Sequence, residues 1–204
     1  MGFELTLDEG EYLVRLARRA IETRLKTGKT IAPADASEKL RLKCGVFVTL
    51  NKVSGASHSL RGCIGFPYPM MPLAEAVVDS AISAALKDPR FEPVSAREMD
   101  SIVIEVSVLT PPEKISVERP DQYSNRVEVG KDGLIVSRGS SRGLLLPQVP
   151  VEWGWDAEEF LTQCCIKAWL PPDAWLLPGT EISRFQAIIF AEEEPRGPIK
   201  RVEL

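Results

Sequence analysis

The sequence predicts an α+β fold, with mainly antiparallel sheets and flanking helices. Two observations predict it: β-rich stretches return on themselves as hairpins at 44–64 and 133–146, and the helical stretches between strands do not form a repeated strand–helix–strand unit. The composition is ordinary for a globular protein, with 44% hydrophobic and 26% charged residues in 204. One large domain and two smaller lobes both fit this length.

A helix is predicted over 6–27. Thr6 and Glu9 have capping-box spacing, apolar residues recur at intervals of three and four, and Gly28 ends the segment. The opposite side carries four arginines, which we interpret as a solvated face, with contact to an anionic partner as the alternative. They are Arg15, Arg18, Arg19 and Arg24.

A β-hairpin is predicted next, because residues 44–53 are rich in β-branched and aromatic side chains and residues 58–64 can return beside them. The segment 54–57 between them is predicted as a four-residue loop. Three prolines within 67–72 remove backbone donors and fix φ, so the stretch after the hairpin is expected to be an ordered loop.

Helix and strand signals continue through the middle of the chain. Small apolar residues mark a helix over 72–86, which indicates close packing against a sheet or another helix. Ser95 and Glu98 have capping-box spacing and predict a short helical turn. The apolar stretch 102–109 is predicted as a central strand that ends at two prolines.

The last third is predicted to contain a second hairpin, a helix and a final strand. Strands at 133–137 and 143–146 flank a five-residue loop. A helix follows over 157–168 with Asp156 as its cap, and 184–191 is predicted as one strand.

The segment LRGCIG, residues 60–65, is the first candidate for chemistry. Strict strand alternation places Arg61 and Cys63 on one face, and a neighbouring guanidinium favours the thiolate, which is the nucleophilic form of cysteine. The glycines leave room for a ligand or another backbone to approach. The alternative is a buried structural cysteine, with Arg61 in a salt bridge. The other residues of the segment are binding candidates: Leu60, Gly62, Ile64 and Gly65.

Four further polar residues are candidate supporting groups: Asp88, Arg90, Gln148 and Glu152. The first two lie on a proline-stiffened turn, where the aspartate would serve as a base and the arginine would hold an anion. The other two lie in a loop with two tryptophans, before a helix whose N-terminus attracts anions. In both places a structural role, capping a turn or covering the core, is the alternative.

A Cys–His dyad is not expected. The single histidine, His58, lies an odd number of positions from Cys63, which puts the two on opposite faces of a strand unless a bulge intervenes. The four cysteines lack metal-ligand spacing, so no metal site is predicted. Their presence in a chain without a signal segment predicts free thiols and a cytoplasmic location.

The charge balance disfavours nucleic acid as a partner. The 25 basic and 29 acidic residues give a net charge of −4, whereas nucleic-acid binders usually present a basic domain. No apolar run approaches the roughly 18 residues of a membrane helix, so no membrane association is expected.

Several stretches together resemble the AMMECR domain family. They are LRGCIG at 60–65, GVFVTL at 45–50, DPRF at 88–91, IEVSVLTP at 104–111, and GLLLPQV at 143–149 followed by GWD at 154–156. The resemblance covers nearly the whole chain. It implies a single domain over 1–204 of α+β fold, built of a larger and a smaller lobe with a cleft near 60–65.

The same resemblance implies that LRGCIG is the functional region, without an established reaction. Relatives of this type are often encoded beside, or fused to, a Memo-like protein and a radical-SAM protein, which implies a shared redox or metal-radical pathway. Neither a cofactor nor an oligomeric state follows from it.

Two functions are therefore expected as alternatives. In the first, the chain is an enzyme or enzyme component, in which Cys63 is a nucleophile or thiol ligand and Arg61 stabilises the thiolate or holds a small anionic ligand. In the second, it is an adaptor that binds a Memo-like protein through Arg61 and the proline-rich loop. The adaptor predicts an exposed apolar patch of Phe66, Tyr68, Met70 and Met71.

Overall fold

The computed structural model describes residues 3–55 and 57–202. Over these residues the chain forms helices and two separate, mainly antiparallel sheets, which confirms the predicted α+β class. The elements, in order, are α1 (Leu7–Thr27), β1 (Gly45–Ser54), β2 (Ser57–Phe66), α2 (Leu73–Leu86), β3 (Ile102–Leu109), β4 (Glu113–Lys114), β5 (Gly133–Arg138), β6 (Ser141–Leu145), α3 (Gln148–Trp153), α4 (Ala157–Lys167), β7 (Glu181–Phe185), β8 (Ala187–Glu192) and β9 (Ile199–Val202).

The described residues divide into two compact units. The first contains residues up to 109 and from 188 onward, with a five-stranded sheet in the order β2-β1-β3-β8-β9. Helix α2 packs on β1 and β2, and α1 packs on α2 and β3. Alternate residues of β1 and β3 are buried in the core of this unit, as period-two patterning requires: Val46, Val48, Leu50, Ile104, Val106 and Val108.

The second unit contains residues 110–187 and a four-stranded sheet in the order β4-β7-β5-β6. Helix α4 packs on β5 and β6, and both Cys164 and Cys165 are buried in the core of this unit. Within residues 3–55 and 57–202, none of the helices combines the length and the apolar content that a bilayer span requires.

The helix ends follow the capping signals of the sequence. The Thr6 hydroxyl accepts a hydrogen bond from the Glu9 N–H, and the Glu9 carboxylate accepts one from the Thr6 N–H. Gly28 ends α1 at a φ of 72°, in the left-handed region that glycine adopts freely. At α4 the Asp156 side chain accepts from the Glu159 N–H.

Arg18 departs from the predicted solvated face of α1, because it is only 7% exposed. Its guanidinium donates to both carboxylate oxygens of Glu192, at 2.6 and 2.5 Å, and to the carbonyls of Met99 and Ile102. The Glu192 carboxylate also accepts from the Ile104 N–H. This buried ion pair attaches α1 to β3 and to the end of β8. Helical periodicity does not reveal it, because the partner carboxylate lies far away in sequence.

Both hairpins turn more tightly than predicted. β1 and β2 pair as far as Ser54 and Ser57, so the predicted four-residue loop is wrong; Ala56 lies outside the described residues. β5 and β6 are joined by Gly139 and Ser140 alone, rather than by five residues. Gly139 has a φ of 60°, and two-residue hairpin turns require positive φ.

The stretch 184–191, predicted as one strand, forms parts of two strands in different sheets. β7 belongs to the four-stranded sheet and β8 to the five-stranded sheet, with Gln186 between them. Because β7 and β8 both contain apolar side chains, hydrophobic periodicity does not reveal that one strand ends and another begins at Gln186. The short strands β4 and β9 were not predicted either.

Candidate functional site

The LRGCIG segment lies in β2, at one edge of the five-stranded sheet. The register with β1 slips at Arg61, which is an extra residue without a partner in β1. Such a β-bulge interrupts the alternation of faces along a strand. Leu60 therefore pairs with Asn51, on the same face as the Thr49–Cys63 pair, and the alternation predicted for this segment does not hold across Arg61.

The glycines of the segment permit close backbone packing. A Cβ at Gly62 would lie 2.2 Å from the carbonyl oxygen of Ala84 in α2, and a Cβ at Gly65 would lie 2.1 Å from the carbonyl oxygen of Val46. The sequence suggests that these glycines leave room for a ligand or for another backbone, and the structure shows another backbone at both positions. Of the other two binding candidates, Leu60 is exposed, and Ile64 packs against the core of the first unit.

The backbone of Cys63 is held from the outer side of β2. Its N–H donates to Asp88 Oδ2 at 2.9 Å, and its carbonyl accepts from Arg90 Nη2 at 3.3 Å. Asp88 and Arg90 thus take the place of a neighbouring strand at this sheet edge. Because these backbone groups point away from β1, Thr49 and Cys63 form a non-hydrogen-bonded pair, in which side chains approach closely.

The Asp88 carboxylate anchors the backbone of Cys63 and the side chain of Arg90. It is only 4% exposed, and its carboxylate accepts hydrogen bonds from the Cys63 N–H and from the backbone N–H, Nε and Nη2 of Arg90. The hydrogen bonds from the Arg90 side chain, supported by those from the two backbone N–H groups, outweigh burial and hold the pKa of Asp88 well below its usual range. A carboxylate this weakly basic is poorly suited to accept a proton near neutral pH.

The thiol of Cys63 lies beside the hydroxyl of Thr49. Thr49 Oγ1 donates to Cys63 Sγ at 3.3 Å. Cys63 is partly exposed, whereas the other three cysteines are buried. Burial raises the pKa of their thiols, to about 11 for Cys44, about 12 for Cys164 and about 11 for Cys165. Of the four cysteines, Cys63 is therefore the one that a solute can reach.

Arg61 forms a salt bridge with Glu98, which is the structural role offered above as the alternative for this residue. Its Nε and Nη2 donate to the two carboxylate oxygens of Glu98 at 3.1 and 3.4 Å. Glu98 also accepts from the Ser95 N–H, which closes the predicted capping box with a reciprocal bond to the Ser95 hydroxyl. Nη1 of Arg61 is buried, without a hydrogen-bond partner among the described residues.

Arg90 lies beside the backbone of Cys63, to whose carbonyl it donates. The pKa of Arg90 is raised chiefly by its hydrogen bond to Asp88, and further by the negative charge of Asp88, against burial, which lowers it. Arg61 and Arg90 both approach the Phe91 ring, with Cζ atoms 5.9 and 5.4 Å from its centroid.

The bulge brings His58 onto the face of Cys63 without forming a dyad. Their partners in β1, Val53 and Thr49, lie four positions apart and so share a face. Four residues along a strand span about 13 Å, which is far beyond hydrogen-bonding distance.

The structure places the remaining supporting candidates in the second unit. Gln148 and Glu152 are exposed and lie on α3, a short helix where a loop is predicted. Trp153 in the same helix is 70% exposed and stacks on Trp155 with ring centroids 6.1 Å apart. The candidates that the structure brings together are Arg61, Cys63, Asp88 and Arg90.

Sequence reasoning missed Thr49 and Glu105. Thr49 pairs with Cys63 on one side and with Glu105 of β3 on the other, so the three side chains share one sheet face. Burial raises the pKa of Glu105, against a hydrogen bond from Ser107 that lowers it. The sequence signal for Glu105 was an ionisable residue in the middle of a mainly apolar strand.

Other parts of the chain provide few alternative sites. No group of three or more His, Cys, Asp or Glu side chains that would hold a metal occurs among residues 3–55 and 57–202. A cavity of about 580 Å³ lies in the second unit, lined by Ser116, Val117, Glu118, Gln122, Asn125 and Arg126. It contains none of the residues that the sequence singles out.

Comparison with known proteins decides the family. The family model for AMMECR1 matches residues 14–190. The chain belongs to the AMMECR1 family. Protein PH0010 from Pyrococcus horikoshii is 57% identical over 206 residues, which cover 100% of both chains. Protein MK0488 from Methanopyrus kandleri is 55% identical over 205 residues, covering 100% of this chain and 98% of the relative.

A solved structure shares the AMMECR1 fold of this chain. The crystal structure of the uncharacterised protein PH0010 from Pyrococcus horikoshii has a TM-score of 0.80 and 58% sequence identity to it, and the match covers 97% of this chain and 98% of that chain. The family resemblance stated from LRGCIG and the accompanying stretches is thus confirmed.

Proposed function

We propose that this AMMECR1-family protein is an enzyme, or a component of one, that acts through the thiol of Cys63. The observation that carries the proposal is how this thiol is held. It is partly exposed and accepts a hydrogen bond from Thr49, while Asp88 and Arg90 bind its backbone. A reactive group needs a fixed position and polar neighbours, and these contacts support both for Cys63.

Each neighbour of the thiol has a distinct role in this proposal. The Thr49 hydroxyl donates to Sγ and so favours the thiolate, and the Arg90 guanidinium adds a positive charge. Asp88 orients Arg90 and fixes the strand. Arg61 holds a small anionic ligand, a role supported by its buried Nη1.

The experiment is alkylation of all four cysteines together in the folded protein, followed across pH by peptide mass spectrometry. Cys44, Cys164 and Cys165 serve as internal controls because they are buried. We expect Cys63 to label at least about ten times faster than each control, and to do so below the ~8.5 of a free thiol pKa. Labelling of Cys63 as slow as that of the buried cysteines would overturn the proposal.

A variant of Thr49 tests whether the neighbours of the Cys63 thiol, and not only its exposure, determine how fast it is labelled. Thr49→Val keeps the side-chain shape and removes the hydroxyl that donates to Sγ. We expect slower labelling of Cys63 near neutral pH, because the thiolate loses a hydrogen-bond donor. Thr27→Val is the matched control, since that hydroxyl bonds a helix carbonyl in α1.

The adaptor alternative has less support from the first unit. Of the four residues expected to form an apolar patch, Met70 is 68% exposed, but Phe66 and Met71 pack partly against the core and Tyr68 is half-buried. A Memo-like partner, the shared pathway with a radical-SAM protein, the cytoplasmic location and the cleft near 60–65 stay predictions from the sequence.

A further inference from the structure

The cavity of the second unit lies in the connection between β4 and β5. Its volume is about 580 Å³, within the range of roughly 300 to 1,000 Å³ that is usual for sites of small molecules. The connection, residues 115–132, contains two 3₁₀ turns, Pro120–Gln122 and Ser124–Arg126, but neither an α-helix nor a strand. Connections of more than about 15 residues without such elements are uncommon in compact domains and usually have a function.

The walls of this cavity are attached to the rest of the second unit. Val117 packs partly against the core of the unit, and Tyr123, between the two turns, is buried in that core. The Arg126 N–H donates to the Tyr123 carbonyl, and the Arg126 carbonyl accepts from the Arg184 side chain of β7. Because these contacts hold the walls in place, a ligand would bind without having to order the connection first.

Uncharged polar side chains line part of the cavity. Gln122 Oε1 accepts hydrogen bonds from the N–H groups of Glu118 and Arg119, at 3.1 and 3.2 Å, which fixes the side chain. Its NH₂ group has no partner among the described residues and remains a donor for a ligand. Asn125 and Ser116 add an amide and a hydroxyl to the lining.

Most charged side chains around the cavity are already paired. The pairs are Arg119 with Asp121, Lys114 with Glu181, and Arg184 with both Glu113 and Asp132. Arg126 and Glu118 differ from them: within residues 3–55 and 57–202, neither side chain forms an ion pair or a hydrogen bond, with each other or with any other residue. One unpaired cation and one unpaired anion thus line the same cavity.

We propose that this cavity binds a small zwitterion, of the amino acid or short peptide class. The Arg126 guanidinium holds the carboxylate of the ligand through parallel N–H donors, and the Glu118 carboxylate accepts from its ammonium group. Gln122, Asn125 and Ser116 bind the remaining polar groups of the ligand. A dianion such as phosphate fits less well, because the negative charge of Glu118 would repel it. This site is separate from Cys63, so the inference does not depend on the proposed function.

The test is a ligand titration of the isotopically labelled full chain, followed by nitrogen–proton correlation NMR. The probes are the free α-amino acids and the dipeptide alanyl-alanine, each up to about 10 mM, which detects dissociation constants in the millimolar range. We expect at least one of these zwitterions to shift the resonances of residues 116–126. Whether the amino acids or the dipeptide bind more tightly distinguishes the two sources of the same chemistry.

Singly charged derivatives of each binding probe test the two contacts in the wild-type protein. The N-acetyl derivative lacks the ammonium group, and the C-terminal amide lacks the carboxylate. We expect each derivative to bind about ten-fold more weakly or worse, because each loses a hydrogen bond between charged groups.

Variants assign the contacts to residues. Arg126→Met and Glu118→Gln, both at exposed positions, should each weaken binding of the zwitterion about ten-fold or more. In Glu118→Gln the N-acetyl derivative should bind about as well as the zwitterion, since the ammonium group has lost its partner. Arg119→Met is the matched control: its side chain is exposed and does not line the cavity, so the dissociation constant should not change.

Three results would overturn the inference. One is that none of the zwitterions shifts the resonances of residues 116–126. Another is that inorganic phosphate binds there more tightly than every zwitterion. The third is that Arg126→Met binds the zwitterion as tightly as Arg119→Met does. The derivatives are measured on the wild-type chain, so equal binding of zwitterion and derivatives rejects the proposal even where a variant does not fold.

Discussion

The Asp88 carboxylate holds the strand that carries Cys63, so its loss is the most informative perturbation of the site. Asp88→Asn preserves the shape of the side chain but removes its charge and one of two acceptor oxygens. The carboxylate receives hydrogen bonds from the Cys63 N–H and from three donors of Arg90. Asparagine accepts through one oxygen only, so two of these bonds are lost and its NH₂ group faces a donor.

The expected magnitude follows from these contacts. A hydrogen bond to a charged group contributes about 1.5–3 kcal/mol. The Arg90 side chain is 53% exposed, so its share is reduced by solvent screening, whereas the Asp88 side chain is almost wholly buried. We expect Asp88→Asn to lower the free energy of unfolding by about 2–3 kcal/mol. Asp79→Asn, at an exposed position of α2, should stay within about 0.5 kcal/mol of wild type.

The pH dependence gives this prediction a second readout. The pKa of Asp88 is lowered in the folded protein, chiefly by the Arg90 hydrogen bonds. Its stabilisation is therefore fully present above the pKa of an unfolded aspartate, about 3.9, and is lost as pH falls toward the lower folded value. Urea denaturation followed by circular dichroism should show a difference between wild type and Asp88→Asn that shrinks below about pH 4.

The reasoning about Asp88 would be refuted in either of two ways. One is an Asp88→Asn variant that is no less stable than Asp79→Asn. The other is a difference from wild type that stays constant across the acidic range, since the cost would then not come from the carboxylate charge.

The same denaturation assay checks two further predictions. Arg18→Met leaves the Glu192 carboxylate buried without its cation, so we expect the free energy of unfolding to fall by about 3–5 kcal/mol. Adding Glu192→Met should recover most of this loss. Arg15→Met, at an exposed position, should change the free energy of unfolding little. A loss from Arg18→Met as small as that from Arg15→Met would show that the pair is not stabilising. Gly62→Ala places a Cβ 2.2 Å from a carbonyl oxygen of α2 and should lower the free energy of unfolding by about 1–3 kcal/mol. Ser59→Ala, on the exposed part of β2, should leave the free energy of unfolding unchanged. Equal effects of the two substitutions would contradict the close packing at Gly62.

Local signals predicted the elements whose limits are set locally. A capping box and a terminal glycine act within one or two turns, so the ends of α1 follow from Thr6, Glu9 and Gly28. β3 was predicted over its full length because an apolar run between turn signals is itself a local pattern. The same reasoning pointed to LRGCIG and to Cys63 as the residue to examine.

The errors occurred where a distant segment decides the outcome. The bulge at Arg61 depends on how β2 pairs with β1, and it invalidated a face assignment drawn from alternation alone. Arg18 fits a solvated helix face by sequence, but the carboxylate of Glu192 is brought to it by β8. The prediction of one strand at 184–191 failed because its two parts join different sheets.

By itself, the sequence determined the α+β class, the ends of α1, the family and the cysteine on which function is proposed to depend. Only the tertiary structure decided which groups surround that cysteine. Asp88 and Arg90 reach it from the turn after α2, and Thr49 reaches it from the neighbouring strand. The physical reason is that cross-strand register and sheet edges arise from contacts between distant parts of the chain, which period and composition do not encode.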